Sequence, residues 1–218
     1  MDKKFCIFDM DGTLVDSMGY WRNLEYDYLT SRGVQLGDKT SELIRRLQPM
    51  TLVDAGKVFI EELGFKGTPQ TIADEMNAVM EGHYRTCVPI KAGVKAYLEA
   101  LKSRGARLCT ASATNAPLVR TCLTRLEIVG YFDFMLSCQD VGASKDRPDV
   151  YFEAARRLGS RPEETAVFED SLSALTTAKN AGFYAVAVYD EHSHDNWGKM
   201  QEISDEFIAD WAEAAKRL

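Results

Sequence analysis

Five short and nearly continuous apolar runs, residues 5–8, 107–111, 134–136, 166–168 and 184–188, constrain this chain more than any other feature. Runs this short suit strands covered on both faces, as in a parallel sheet. Helical stripes lie between the later ones: Val94, Tyr97, Leu98 and Leu101 ahead of Gly105; Leu118, Val119, Cys122, Leu123 and Leu126; Ala154, Ala155 and Leu158 ahead of Gly159. Strand and helix alternate, which predicts an α/β fold with a doubly wound parallel sheet.

One region breaks the alternation. Residues 15–87 carry no strand pattern, only helical stripes: Trp21, Leu24 and Tyr28 ending near Gly33; Val58, Phe59 and Leu63 ending at Gly64; and Ile72, Met76, Val79 and Met80 after Thr68 as cap and Pro69 at the first helical position. The expected organisation is therefore a Rossmann-like core from residues 1–14 and 88–218, with an all-helical insert at 15–87. The insert leaves just after the first strand and is expected over the carboxyl ends of the strands, where open α/β sheets bind ligands.

Those strand ends carry the chemistry. The first runs into Asp9 and Asp11 within "FDMDGTLVDS", the second into Ser112 and the fourth into Glu169 and Asp170, while Lys145 begins the segment after the third. Taken singly, each has an ordinary explanation as turn, cap or solvated charge. Four carboxylates gathered at one sheet edge, however, raise one another's pKa values and cost several kcal/mol unless a cation neutralises them. Oxygen donors without a Cys/His cluster point to Mg2+, which binds one or two carboxylates and shares its remaining shell with water and a phosphate.

Composition narrows the partners. A net charge of -7 argues against nucleic acid or an anionic membrane surface, and no segment is apolar over a membrane-spanning length. The five cysteines are an odd number, and Cys6 and Cys109 sit inside apolar runs, so reduced, buried thiols of a cytoplasmic protein are expected. A monomer or weak homodimer acting on a small phosphorylated metabolite is the expectation.

"FDMDGTLVDS", Ser112, Lys145 in "SKDRPD" and "FEDS" at 168–171 together resemble the four motifs of the haloacid dehalogenase superfamily of phosphohydrolases. With a helical insert after the first motif, the chain is similar to the branch containing phosphoglycolate phosphatase and beta-phosphoglucomutase. The resemblance implies a HAD-type phosphatase, a phosphoric monoester hydrolase, with a helical cap. It implies Asp9 as nucleophile forming an aspartyl-phosphate and Asp11 as general acid and base. It also implies phosphate contacts from Ser112, Lys145 and the segments Met10, Gly12, Thr13 and Ala113, and a Mg2+ site of Asp9, the Asp11 carbonyl, Asp170 and Glu169, the last directly or through water.

Three departures bear on this. Ala174 stands where glycine is usual, and Ser144–Pro148 replaces a Gly-Lys-Pro-x-Pro pattern, so Arg147 is a further candidate for the phosphate. Trp21 stands where sugar-phosphate mutases place a proton-shuttling histidine, which speaks against a beta-phosphoglucomutase-like phosphotransferase. A receiver-like phospho-aspartate signalling module shares the sheet, aspartates and lysine, but lacks a second aspartate two residues after the nucleophile and a large helical insert. His83, and the His192/His194 pair, are read as structural side chains. Thr114 and Asn115 are rim residues or the start of the next helix.

Overall fold

The computed structural model describes residues 2–47 and 50–218. By its internal contacts the chain divides into two compact units, Met1–Ser17 with Val88–Leu218, and Met18–Cys87.

Among the described residues the first unit holds six parallel strands: β1 (Phe5–Phe8), β2 (Arg107–Ser112), β3 (Phe134–Ser137), β4 (Thr165–Glu169), β5 (Tyr184–Val188) and β6 (Glu206–Ile208), in the order β3-β2-β1-β4-β5-β6. β1 is central. Phe8 pairs in register with Thr110 on one side and Phe168 on the other, so the residues that follow these strands emerge together at one edge.

Alternation along the strands explains the two faces. Ile7, Cys109, Ala111, Leu136 and Val167 pack with Val150, Tyr151, Ala154 and Leu158. On the opposite side Phe8 stacks on Phe168 with ring centroids 4.2 Å apart, and Tyr97 meets Trp211 edge-on at 4.8 Å. Each such aromatic pair adds about 1 kcal/mol beyond its buried area. Cys6 and Cys109 are free and buried, as expected from their strand positions.

The second unit is helical: α1 (Met18–Arg22), α2 (Leu24–Ser31), α3 (Asp38–Leu47), α4 (Leu52–Leu63) and α5 (Pro69–Thr86). Thr68 caps α5 by accepting from the Thr71 amide at 3.1 Å, with Pro69 next, as its sequence indicates. Tyr28, Phe59 and Phe65 pack ring against ring at 5.7 to 5.9 Å. The stripe Trp21, Leu24, Tyr28 spans two helices, not one, because the backbone departs from helical geometry at Asn23 (φ -100, ψ 7). Leu63, read as part of an apolar stripe, is exposed, and the buried face of α4 is instead Ala55, Gly56 and Phe59.

Among the described residues the first unit also holds the α-helices α6 (Val94–Ser103), α7 (Ala116–Arg125), α8 (Cys138–Val141), α9 (Asp149–Leu158), α10 (Leu172–Asn180), α11 (Trp197–Ile203) and α12 (Trp211–Lys216). Among the described residues no helix is long and apolar enough to cross a membrane.

Candidate active site

β1 delivers Asp9 to the sheet edge, its amide bonded to Phe168 O on β4 at 3.0 Å. The chain then turns tightly: the amides of Leu14 and Val15 reach back to Met10 O at 2.9 and 3.1 Å, and Gly12 donates to Val15 O at 3.0 Å. Gly12 has φ +75, and a Cβ there would lie 2.2 Å from Asp170 Oδ2. The turn therefore requires glycine twice, for its left-handed backbone and for the carboxylate pressed against it. The Gly12 and Thr13 amides close this turn, so these residues shape the loop.

β4 supplies the facing acids. Glu169 ends the strand and Asp170 follows it, both buried. Carboxylate oxygens of Asp9, Glu169 and Asp170 all lie within 4.8 Å of one another. Thr13 Oγ1 donates to Asp170 Oδ1 at 3.1 Å and holds that carboxylate in place. Lys145, from the loop between α8 and α9, donates to Asp9 and, at 2.7 Å, to Glu169 Oε1. The buried Tyr151 hydroxyl reaches the same Glu169 oxygen at 2.7 Å.

Charge at this edge is uncompensated. Burial drives the Asp9 carboxyl well above the usual range; Lys145 opposes the rise, and Glu169, Asp170 and Asp11 reinforce it. Burial, with repulsion from Glu169 and Asp190, pushes Asp170 up to about 7. Lys145 pays for its own burial through Asp9 and Glu169, which together hold its ammonium above the ordinary value. One ammonium against three buried carboxylates leaves room for two further positive charges, and an oxygen-only donor set fits a hard divalent cation.

Asp11 stands beside this cluster, half-buried. Its carboxylate accepts from Ser17 Oγ at 2.6 Å and Thr114 Oγ1 at 2.8 Å. Ser112, at the end of β2, is fully buried and its Oγ accepts the Thr114 amide at 3.0 Å; the cap of α7 is Asn115, whose side chain accepts from Leu118 N. Thus Thr114, read from sequence as a rim residue or the start of the next helix, positions Asp11. Ala113 is exposed beside it.

Arg147 is engaged elsewhere: its guanidinium forks onto Asp149 at 2.8 and 3.1 Å with the side chain 66% exposed, so Lys145 is the cation among the carboxylates. His192 pairs with Asp190, and among the described residues no metal-type cluster includes it or His194. Three contributors, Tyr151, Asp190 and Lys91, escaped the sequence reading. Tyr151 lies on a crossover helix, and Asp190, two residues past β5, forms a buried pair with Lys91 at 2.7 Å. An acid just beyond a strand end, as at Asp9, was the available signal for Asp190.

A family model described as haloacid dehalogenase-like hydrolase matches residues 6–188. The chain belongs to that family. Among curated relatives of this hydrolase, a phosphorylated carbohydrates phosphatase of Thermotoga maritima is 29% identical, the match covering 81% of this chain and 80% of the relative. Hexitol phosphatase B of Escherichia coli K12 is 28% identical over 84% of this chain and 82% of that one. The crystal structure of CbbY from Rhodobacter sphaeroides in complex with phosphate shares the fold, with a TM-score of 0.73, 22% identity and coverage of 99% and 100%. The hydrolase is an enzyme of the family's phosphatase branch, which sets aside the receiver-like alternative.

Were the acidic cluster to hold Mg2+, Gly12→Ala would weaken that binding by about tenfold, and it is expected to destabilise the hydrolase by ~1–2 kcal/mol, from left-handed backbone strain plus displacement of Asp170. Titration calorimetry with Mg2+ and urea denaturation check both; unchanged affinity would show that the Asp170 position does not matter to the metal.

Proposed function

We propose that this enzyme is a Mg2+-dependent phosphatase of small phosphorylated sugars or sugar alcohols, working through an aspartyl-phosphate on Asp9. The observation that carries the reading is the convergence of Asp9, Glu169 and Asp170 around Lys145, with Asp11 two residues beyond Asp9. The substrate class follows the two bacterial relatives, a phosphorylated carbohydrates phosphatase and a hexitol phosphatase.

In this reading an Asp9 oxygen attacks phosphorus in line as the ester oxygen departs. Asp11 gives its proton to the departing alcohol, then takes one from the water that cleaves the aspartyl-phosphate, so one difficult displacement becomes two easier ones. Ser112, Lys145 and the Met10 amide hold the phosphoryl oxygens as charge shifts among them. Ser17 and Thr114 keep Asp11 oriented. Asp9, Asp170 and the Asp11 carbonyl would hold Mg2+, with Glu169 adjoining them in the same acidic cluster. When bound, the ion neutralises phosphoryl charge and fixes its orientation. The helical unit serves as the cap that excludes bulk water and selects the substrate. Trp21 Nε1 donates to the Tyr84 hydroxyl at 3.1 Å, and an indole N–H, unlike an imidazole, cannot shuttle a proton.

The test is a panel of hexose, pentose and hexitol phosphates with Mg2+, scored for free phosphate. Multiple-turnover release from sugar phosphates is expected. Isomerisation of β-glucose 1-phosphate to glucose 6-phosphate without release would instead identify a mutase, and no turnover on any ester would overturn both.

Metal dependence also has a pH signature. Burial and like charge raise the folded-state pKa values of Asp9 and Asp170, the latter to about 7. An acid raised in the folded state adds stability at low pH that is lost as pH climbs through the raised value. In EDTA the melting temperature is therefore expected to fall between about pH 4 and 8, and the increment produced by Mg2+ to be larger at pH 8 than at pH 5. Equal increments at both would contradict charge neutralisation at this cluster.

A further inference from the structure

A cysteine, a histidine and an aspartate stand in line within the helical unit. Asp27 comes from α2, His83 from the last turn of α5, and Cys87 caps that helix. His83 Nε2 lies 3.0 Å from Asp27 Oδ2, and His83 Nδ1 lies 3.5 Å from the Cys87 sulfur.

The proton directions follow from the chemistry of the groups. An ionised carboxylate has no proton to give, so Nε2 carries the N–H; in a neutral ring Nδ1 is then bare, and the thiol must donate to it. This is the order nucleophile, base, orienting acid that activates a nucleophile by proton transfer. Backbone geometry fixes the first contact, since the Cys87 amide donates to His83 O at 2.9 Å. Tyr20 packs against the imidazole at 4.9 Å, and Arg85, in the same turn, is paired with Glu81.

Access is asymmetric among the thiols. Cys87 is exposed, whereas Cys6, Cys109 and Cys122 are buried and Cys138 is intermediate. A cavity of about 430 Å³ lined by Gly19, Tyr20, Asn23, Tyr26, Asp27 and His83 adjoins the imidazole. Cys87 is not part of its wall, so the pocket bounds the His83–Asp27 pair and leaves the sulfur open to solvent.

We propose that Cys87 is a modification site, a thiol activated by His83 and Asp27 for exchange with low-molecular-weight disulfides. His83 Nδ1 takes the thiol proton as the Cys87 sulfur attacks one sulfur of the disulfide. That S–S bond breaks, a new one joins Cys87 to half of the reagent, and the other half leaves as a thiolate that collects the proton from His83. No further oxidant is consumed. None of this depends on the carboxylate cluster.

The test follows the reaction of the native chain with the aromatic disulfide DTNB. One rapid thiol is expected, absent in Cys87→Ser. His83→Gln should slow that phase about tenfold or more and Asp27→Asn by a smaller factor, while urea-unfolded proteins react alike. Circular dichroism establishes that each variant is folded, and Asp27→Asn, at a half-exposed side chain, decides the matter if His83→Gln is not. Equal rates in wild type and a folded variant would overturn the proposal. With glutathione disulfide, peptide mass spectrometry of the wild type should find the mixed disulfide on Cys87 ahead of Cys138; the reverse order would also overturn it.

Discussion

Asp9→Asn is expected to lower turnover by a factor on the order of 10⁴ or more while leaving the fold intact, because it removes the proposed nucleophile yet leaves an amide oxygen that can still accept from Lys145. The Asp9 backbone bond to Phe168 O is untouched, and an amide has nearly the volume of the carboxylate. Its effect on stability should run opposite to that on activity. A neutral amide no longer repels Glu169 and Asp170, two groups that raise the Asp9 carboxyl. In EDTA the variant is expected to melt at or above the wild-type temperature, and the increment conferred by Mg2+ should shrink. Retained turnover, or a metal-free variant much less stable than wild type, would contradict the role given to Asp9.

Lys145→Met should do the reverse to stability. Lys145 side-chain exposure is 12%, and its partners Asp9 and Glu169 are at 9% and 1%, so the ion pairs are screened little. Removing the ammonium strands two buried carboxylates, at about 3–5 kcal/mol in the absence of metal, and turnover should fall by at least about 10²-fold as phosphoryl charge loses its partner. Two features identify the cause. Mg2+ should recover more of the lost stability than it adds to the wild type, and combining Lys145→Met with Asp9→Asn should cost less than the sum of the two. Urea denaturation of the four proteins in EDTA and in Mg2+ measures both; additive losses would mean that the lysine acts through packing alone.

Much of this architecture was legible because buried parallel strands write themselves as unbroken apolar runs. β1 through β5 fall where those runs lie, within a residue at each end. β6 did not announce itself: Glu206–Ile208 is three residues long, only Ile208 is buried, and the strand exists through its pairing with β5. α3 was missed although Leu43, Ile44 and Leu47 form its buried face, because that face is narrow within a charged segment.

The site divides the same way. Asp9, Ser112, Glu169 and Asp170 were visible since strand ends of one parallel sheet must share an edge. Thr114 on Asp11, Tyr151 on Glu169 and Lys91 on Asp190 were not, because those contacts depend on how loops and crossover helices settle on the sheet, which spacing along the chain does not encode. Arg147 shows the converse. Its neighbourhood to Lys145 in sequence suggested a phosphate contact, yet Asp149, two residues on, captures the guanidinium first.

Everything rests on a covalent phosphoryl group passing through one side chain. Acid-quenching the enzyme during turnover of a sugar phosphate with Mg2+, then mapping peptides by mass spectrometry, tests that directly. Phosphorylation confined to Asp9, discharged on longer incubation and absent in Asp9→Asn, is the expected result. Rapid phosphate release with no phosphopeptide in the quenched enzyme, or a phosphoryl group on any other residue, would contradict it.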